Sequence, residues 1–341
     1  MDTKIQITTL LYCLFLLGLL GCTFIASLAF GGVKIPFEEV WQIVWSQLLF
    51  DETSSTISAG HQAIIWEIRL PRSLLAMMVG AGLSIVGVSL QALTRNHLAD
   101  PHLLGISSGS AFGAVLAIMH VGMIFGQFTL PIFAFMGSLI VTGFVLGFSS
   151  LTQSHSSSKL VLTGVAFSFV IMAATNFLII LGNPKATHLV VYWMLGGLGT
   201  ANWSILPICF LVLCVAFAHF WINGPQFNAL SLGDETASTL GIVVPHFRLV
   251  AFGVGALLTG VLVSYSGIIG FVGLMVPHIA RFFVGGNNSL LMPVSLAIGA
   301  LFLLGSDLLA RTLLAPQVIP VGVITGLVGG SFFLWLLAKK N

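Results

Sequence analysis

Apolar residues in this chain run in long unbroken blocks, and the polar residues collect between them. Reading apolar length against proline, glycine and charge marks spans near 8–30, 64–93, 101–121, 129–150 and 160–182. Five more follow near 203–222, 246–267, 270–284, 290–310 and 320–338. A helix needs about 20 residues to cross the hydrocarbon core of a bilayer. Most blocks meet that length, and the eighth, at 270–284, falls short of it. Blocks this continuous are not the alternating segments of a β-barrel, so helices are the element left for a spanning chain. The first run, Thr8 to Phe30, has 23 residues, longer than the roughly 7–15-residue core of a secretory signal. It reads as a span. The expectation is a single all-α, polytopic membrane domain over residues 1–341 with about ten transmembrane helices.

Composition narrows the functions open to such a chain. Of 341 residues, 57% are hydrophobic and 6% are charged, against about 25% charged in ordinary soluble domains. A net charge of +2 with no basic, aromatic-interleaved stripe gives nucleic acid nothing to bind. Cys13, Cys22, Cys209 and Cys214 lie inside apolar runs and read as small hydrophobes, with no disulfide or zinc spacing. The nine histidines (His61, His97, His102, His120, His155, His188, His219, His246 and His278) are scattered through span ends and loops. They form no H-E-x-x-H pair, so no metal site is expected. No G-x-x-x-x-G-K-[ST] loop is present to hold a nucleotide, and the Gly253–Gly255 pair sits inside an apolar span as packing. Asp307 is the one acid deep in a late span, and Arg311, one turn on, makes a local ion pair with it. Acids within spans are too few to build a proton relay.

An even number of spans puts both termini on one side. Lys4, Arg95, Lys159, Arg248, Arg281, Lys339 and Lys340 would share the cytoplasmic side, and Lys34, Arg69, Arg72, Lys185 and Arg311 the other. Arg69 and Arg72 flank Pro71 at the start of span two, and Arg311 precedes span ten. Arginines there are either anchors that snorkel to the interface or a docking surface for carboxylates on an extracytoplasmic partner. Gly105, Gly109 and Gly113 in span three, and Gly322, Gly326 and Gly330 in span ten, recur every four residues and predict close helix approach.

The longest cytoplasmic loop, 223–245, carries its own helix signal. Ser231 with Asp234 three residues on fits an N-cap, Asp234 and Glu235 suit the positive end of a helix dipole, and Gly241 suits a C-terminal stop. The pattern predicts a helix of about nine residues carrying Leu232, Ala237 and Leu240, placed as a handle for a soluble partner. Uphill transport through this chain would need such a partner, because the chain has no engine of its own.

Several motifs resemble one family, the membrane permeases of type II ABC importers that take up vitamin B12, haem and iron–siderophore chelates. They are Ile68-Arg69-Leu70-Pro71-Arg72 with Gly80-Ala81-Gly82, Gln91-Ala92-Leu93, and Asn96-His97-Leu98-Ala99-Asp100-Pro101 with Leu104-Gly105. Further along come Tyr192-Trp193-Met194 with Gly196-Gly197, the Leu230 to Gly241 loop, and Gly270 to Arg281. Asp307, Arg311 and Pro320-Val321-Gly322-Val323 complete the set. The resemblance covers most of the chain. It implies a ten-helix subunit of the bacterial cytoplasmic (inner) membrane, both termini cytoplasmic, paired with a second copy or a paralogue. It also implies two ATPase subunits that hold the ATP and Mg, and a periplasmic or lipid-anchored substrate-binding protein. No cofactor belongs to this chain.

By the same resemblance, Arg69, Arg72 and Arg311 would dock the binding protein. Ser231, Leu232, Gly233, Asp234, Glu235, Ala237, Leu240 and Gly241 would couple to the ATPase. Asn96, Leu98, Ser157 and Ser158 would form the cytoplasmic gate, and the span from Lys159 to Leu181 would line the path. Two departures stand out: His97 replaces the family's usual proline, which fixes φ, and Gly286-Asn287-Asn288-Ser289 replaces charged residues. The expected role is non-catalytic import of a chelate such as a ferric siderophore, with vitamin B12 or haem as alternatives. A secondary transporter driven by ions, which would need intramembrane acids or an inverted repeat, and a membrane scaffold are the readings of other classes.

Overall fold

The computed structural model describes residues 3–49, 57–101, 105–151 and 157–339, and the side chains among them except 3–13, 149–150 and 157–158. His102, Leu104, His155 and Lys340 of the motifs above lie outside the described residues. Within them the chain is helical, with no strand. Each expected span has its helix: α1 (Thr3–Ala29), α4 (Leu70–Thr94), α5 (Ile106–Leu116), α6 (Thr129–Leu151) and α7 (Ser157–Leu181) come first. After these come α9 (Leu206–Ile222), α12 (Val244–Ser266), α13 (Val272–Val284), α14 (Asn288–Thr312) and α15 (Val321–Lys339). By length and composition, 6 helices among the described residues are apolar enough to cross a membrane, or up to 7 if a bent pair is one span. The eighth block is indeed short, 13 residues in α13.

Five further α-helices lie between the spans. α2 (Phe37–Leu49) follows α1. α3 (Ala59–Ala63) runs through a π-helical stretch, Ile64–Arg69, directly into α4. α8 (Thr187–Met194) precedes α9, and α10 (Gly224–Leu232) and α11 (Asp234–Thr239) fill the long loop. The span pattern did not reveal α2. Glu38 and Glu39 stand in its first turn, where acids favour a helix start. Val40 and Ile43 bury against Leu28, Ile35 and Ile65, while Trp41 and Trp45, one turn apart, stack outside at 5.6 Å. α9 and α10 meet at Asn223 with a 56° bend. Pro225 sits in the first turn of α10, a position where its missing N–H costs nothing.

The bundle is arranged around α4. From Ala59 to Thr94 the helix is continuous, and 89% of its apolar window is buried inside the subunit, so it touches protein on all sides. Two glycine crossings make that possible. A Cβ on Gly80 would collide with the Gly299 carbonyl of α14, and one on Gly87 with Gly273 of α13. Neighbouring helices can therefore meet α4 backbone to backbone, the approach that small residues permit in lipid. Ser84 reinforces the α14 crossing by donating to the Ser295 carbonyl at 2.8 Å.

The two glycine rows read from the sequence fare differently. Gly109 and Gly113 of α5 press on Gly137 and Phe133 of α6, as the spacing suggests. Of the three glycines in the α15 row, Gly322 is close-packed against the Leu195 carbonyl, while Gly326 and Gly330 have nothing within 4 Å. Their spacing marks a face, but that face is unoccupied within the subunit.

This contrast is testable. Gly80→Leu should abolish a monodisperse, heat-resistant species in detergent, whereas Gly326→Leu should leave the purified subunit's melting temperature unchanged. Equal melting curves for the two variants would contradict the hub arrangement.

Candidate functional site

Charge gathers at the two ends of α4. At its N-terminal end stand the three arginines expected to dock a partner, and the structure turns them inward. Arg69, 4% exposed, donates to the carbonyls of Leu28 at 2.6 Å and Ala29 at 2.8 Å, and to that of Val33. Those carbonyls sit at and just beyond the end of α1, where the last turn has no intrahelical donors and a cation suits the dipole. Arg69 is thus a side-chain cap for α1. Asp307 is fully buried in α14. Its Oδ1 accepts from Arg72 Nε at 2.8 Å, and its Oδ2 lies 2.9 Å from Arg311 Nε. Arg311 also donates to the Ser27 carbonyl at 3.2 Å.

The pairing of Asp307 with Arg311 follows the one-turn spacing. No pattern along the chain signals the pairing with Arg72, 235 residues away. Within the subunit, then, all three guanidiniums have partners. The carbonyls at the end of α1 and the carboxylate of α14 engage these guanidiniums in a low-dielectric interior.

The other end of α4 carries the expected gate and coupling residues. α4 stops at Arg95, which adopts a left-handed conformation at φ 50°. In the following turn the Asn96 side chain accepts from the Leu98 N–H at 2.9 Å, an Asx-turn that fixes the bend locally. Leu98 is left 60% exposed. Ser157 and Ser158 open α7, but their side chains lie outside the described residues, so only half of the expected gate has described contacts. His97 is held below the ordinary histidine value, first by burial and then by the Arg281 guanidinium. Arg281 itself donates to Gln91 Oε1 at 2.6 Å, and Gln91 Nε2 reaches the Gly273 carbonyl at 3.3 Å.

The coupling loop differs in detail from its expected form. Ser231 is not an N-cap. It lies inside α10, where its hydroxyl donates to the Phe227 carbonyl at 2.9 Å. A separate helix, α11, runs for 6 residues rather than about nine and starts after Gly233, whose φ of 134° demands glycine. Gly241, at φ 84°, ends the turn as the spacing implies. Ala237 anchors α11 in the core, while Leu232, Leu240 and Glu235 face outward, the leucines 77% and 66% exposed. Asp234 accepts a two-pronged contact from Arg248, at 3.0 and 3.3 Å, and lies 3.5 Å from Arg95.

Residues that the sequence reading passed over tie this loop to the bundle. Asn228 of α10 accepts from the Asn288 N–H at 2.7 Å, and its own amide donates to Asn287 Oδ1 at 3.0 Å. Asn287 meanwhile caps α14 by accepting from the Ser289 N–H at 3.1 Å. The uncharged Gly286–Ser289 stretch is therefore a cap and a clasp at once. An Asn-Asn-Ser run just before a long apolar block was the available cap signal.

At the Arg69 end of the bundle, a cavity of about 610 Å³ opens between α8, α12 and the connection from α5 to α6. Gln127, Phe128, Tyr192, Trp193, Asn202 and Tyr265 line it. Its size is within the range of roughly 300–1,000 Å³ usual for small-molecule sites. Among the described residues no group of three or more His, Cys, Asp or Glu is placed to hold a metal.

Two outcomes follow from these geometries. Asp307→Ala leaves Arg72 and Arg311 buried without a counter-charge and should cost about 3–5 kcal/mol, as breaking a buried pair does. An unchanged melting temperature in detergent would contradict the buried pairing. For His97, a folded value beneath the unfolded one means that this turn is favoured with a neutral ring. Its contribution is complete above the unfolded value and is lost as pH falls below it. Transport by the wild type should therefore weaken between about pH 7 and 5.5, and His97→Pro should flatten that profile. Identical profiles for both would remove His97 from the turn's energetics.

Comparison with known proteins agrees with this architecture. The Fe(3+) dicitrate transport system permease protein FecD of Escherichia coli is 36% identical over 333 residues, covering 95% of this chain and 97% of that protein. The hemin transport system permease protein HmuU of Yersinia pestis is 36% identical over 339 residues, covering 96% and 95%. A solved structure described as an inward-facing conformation of a metal-chelate type ABC transporter superposes with a TM-score of 0.80 at 30% identity, covering 96% of this chain and 98% of that one. Residues 19–339 match one family throughout, so this polytopic membrane protein is a transport permease and belongs to the FecCD transport family.

Proposed function

We propose that this chain is the permease subunit of an ATP-driven importer and carries a metal chelate, of the ferric siderophore or haem kind, into the cytoplasm. Two copies would enclose the path, with α7 lining it and the Asn96–Leu98 turn closing it toward the cytoplasm. Both termini would face the cytoplasm. Two ATPase subunits would bind the α11 side and hold the ATP and Mg, and a binding protein would deliver the chelate at the opposite end.

One observation carries the reading. The α10–α11 loop presents Leu232, Leu240 and Glu235 to solvent around a short helix anchored by Ala237, in a chain that has no nucleotide loop. An exposed apolar pair beside an acid, on a loop tied to the bundle by hydrogen bonds, fits a groove on a soluble partner. The chelate class rests on the relatives named for ferric dicitrate and hemin. An alternating-access cycle needs only that ATP-dependent closure of the partners favours one of two arrangements of the helices.

Co-expression with a cognate ATPase and reconstitution with a loaded binding protein test the proposal. Uptake of the chelate should require ATP and all three components, and the permease alone should hydrolyse none. ATP-independent uptake driven by a proton or sodium gradient would overturn it in favour of a secondary transporter. Leu232→Asp with Leu240→Asp should strip the ATPase from the purified complex while the permease still inserts. Full retention of the ATPase by this double variant would take α11 out of the interface.

A further inference from the structure

We infer that Asp234 is a positioning residue: with Arg248 and Arg95 it forms an ion triad that transmits movement of α11 to the Asn96–Leu98 turn. This deepens the importer reading and rests on it.

Three separate elements meet at one carboxylate. Asp234 is the first residue of α11, the helix placed against the ATPase. Arg248 lies in the second turn of α12 with its side chain 9% exposed, and it grips both carboxylate oxygens, Nη2 to Oδ1 at 3.0 Å and Nη1 to Oδ2 at 3.3 Å. Arg95 ends α4 and immediately precedes the turn made by Asn96. Its Nη2 lies 3.5 Å from the same Oδ1.

The two arms differ in strength for a physical reason. A two-pronged guanidinium–carboxylate contact with one side buried is the strong geometry, so α11 and the start of α12 should move as one body. The Arg95 arm is longer, and both of its groups are well exposed, at 44% and 38% for the side chains. Exposed pairs of this kind contribute little and are screened by salt. α4, locked by its glycine crossings, cannot follow a shift of α11. The Arg95 contact is where the moving part meets the fixed part, one residue from the turn that would close the path. Both carboxylate oxygens of Asp234 face these cations. A displaced carboxylate therefore releases Arg95.

The test separates coupling from assembly. In proteoliposomes holding the permease, its ATPase and a loaded binding protein, uptake and ATP hydrolysis are measured together for wild type, Arg95→Gln and Arg95→Lys. Arg95→Gln should keep the ATPase bound and hydrolysing while the chelate moved per ATP falls about tenfold, a common size for coupling between sites. Arg95→Lys keeps the charge and should restore most of that ratio, with a stronger dependence on ionic strength. An unchanged ratio in Arg95→Gln overturns the triad and leaves the importer reading intact. Loss of the ATPase from the Arg95→Gln complex also overturns it, since Arg95 would then serve assembly. A wild-type complex that neither holds an ATPase nor imports with ATP defeats the importer reading itself, and the triad with it.

Discussion

The structure depends on one constraint: α4 is surrounded by protein and must be approached at backbone distance. Lipid offers no hydrophobic drive to hold one helix against another, so close contact and polar pairing do that work. Gly80 opposite Gly299, and Gly87 opposite Gly273, supply the close contact. Because the hub is fixed, its two ends become fixed points too. Arg72 at one end reaches Asp307, and Arg95 at the other reaches Asp234.

The functional parts differ in how firmly they are tied to that hub. The Asp307 cluster is buried and shared by two guanidiniums, so it acts as a permanent fastening. The α11 region is tied by amide hydrogen bonds and a half-exposed ion pair, contacts weak enough to change during a cycle. α7 is the least buried of the six helices long and apolar enough to cross a membrane among the described residues, with 11% of its apolar window buried in the subunit. A helix with so little intrasubunit packing needs lipid or a second copy beside it.

Much of this was legible in the sequence, and the rest failed for identifiable reasons. A helix lies at each of the ten expected positions, which were readable because apolar length in a bilayer is a one-dimensional signal. Gly241 and the acids of α11 were readable because helix ends are local. Arg72 with Asp307 was not, since no pattern along the chain pairs residues 235 positions apart. Ser231 was misassigned because a serine three residues before an acid reads as a cap whether or not a helix is already in progress. Here Gly233 breaks α10 from α11 and takes the cap position instead. α2 went unseen because 13 residues with two acids fall below any span threshold. The inward turn of Arg69 and Arg311 was hidden for a different reason: an arginine at a span end looks the same whether it faces water or caps a neighbouring helix.

The self-pairing of Asp307 with Arg311 also bears on how the chain is made. As α14 leaves the ribosome and partitions into lipid, a lone carboxylate near its end would be costly to immerse. An arginine one turn on travels in the same segment and neutralises it at once. Arg72, already threaded with the second span, can then join on arrival. α14 thus enters lipid with its carboxylate already paired, and Arg72, made much earlier, completes the cluster when the two helices meet.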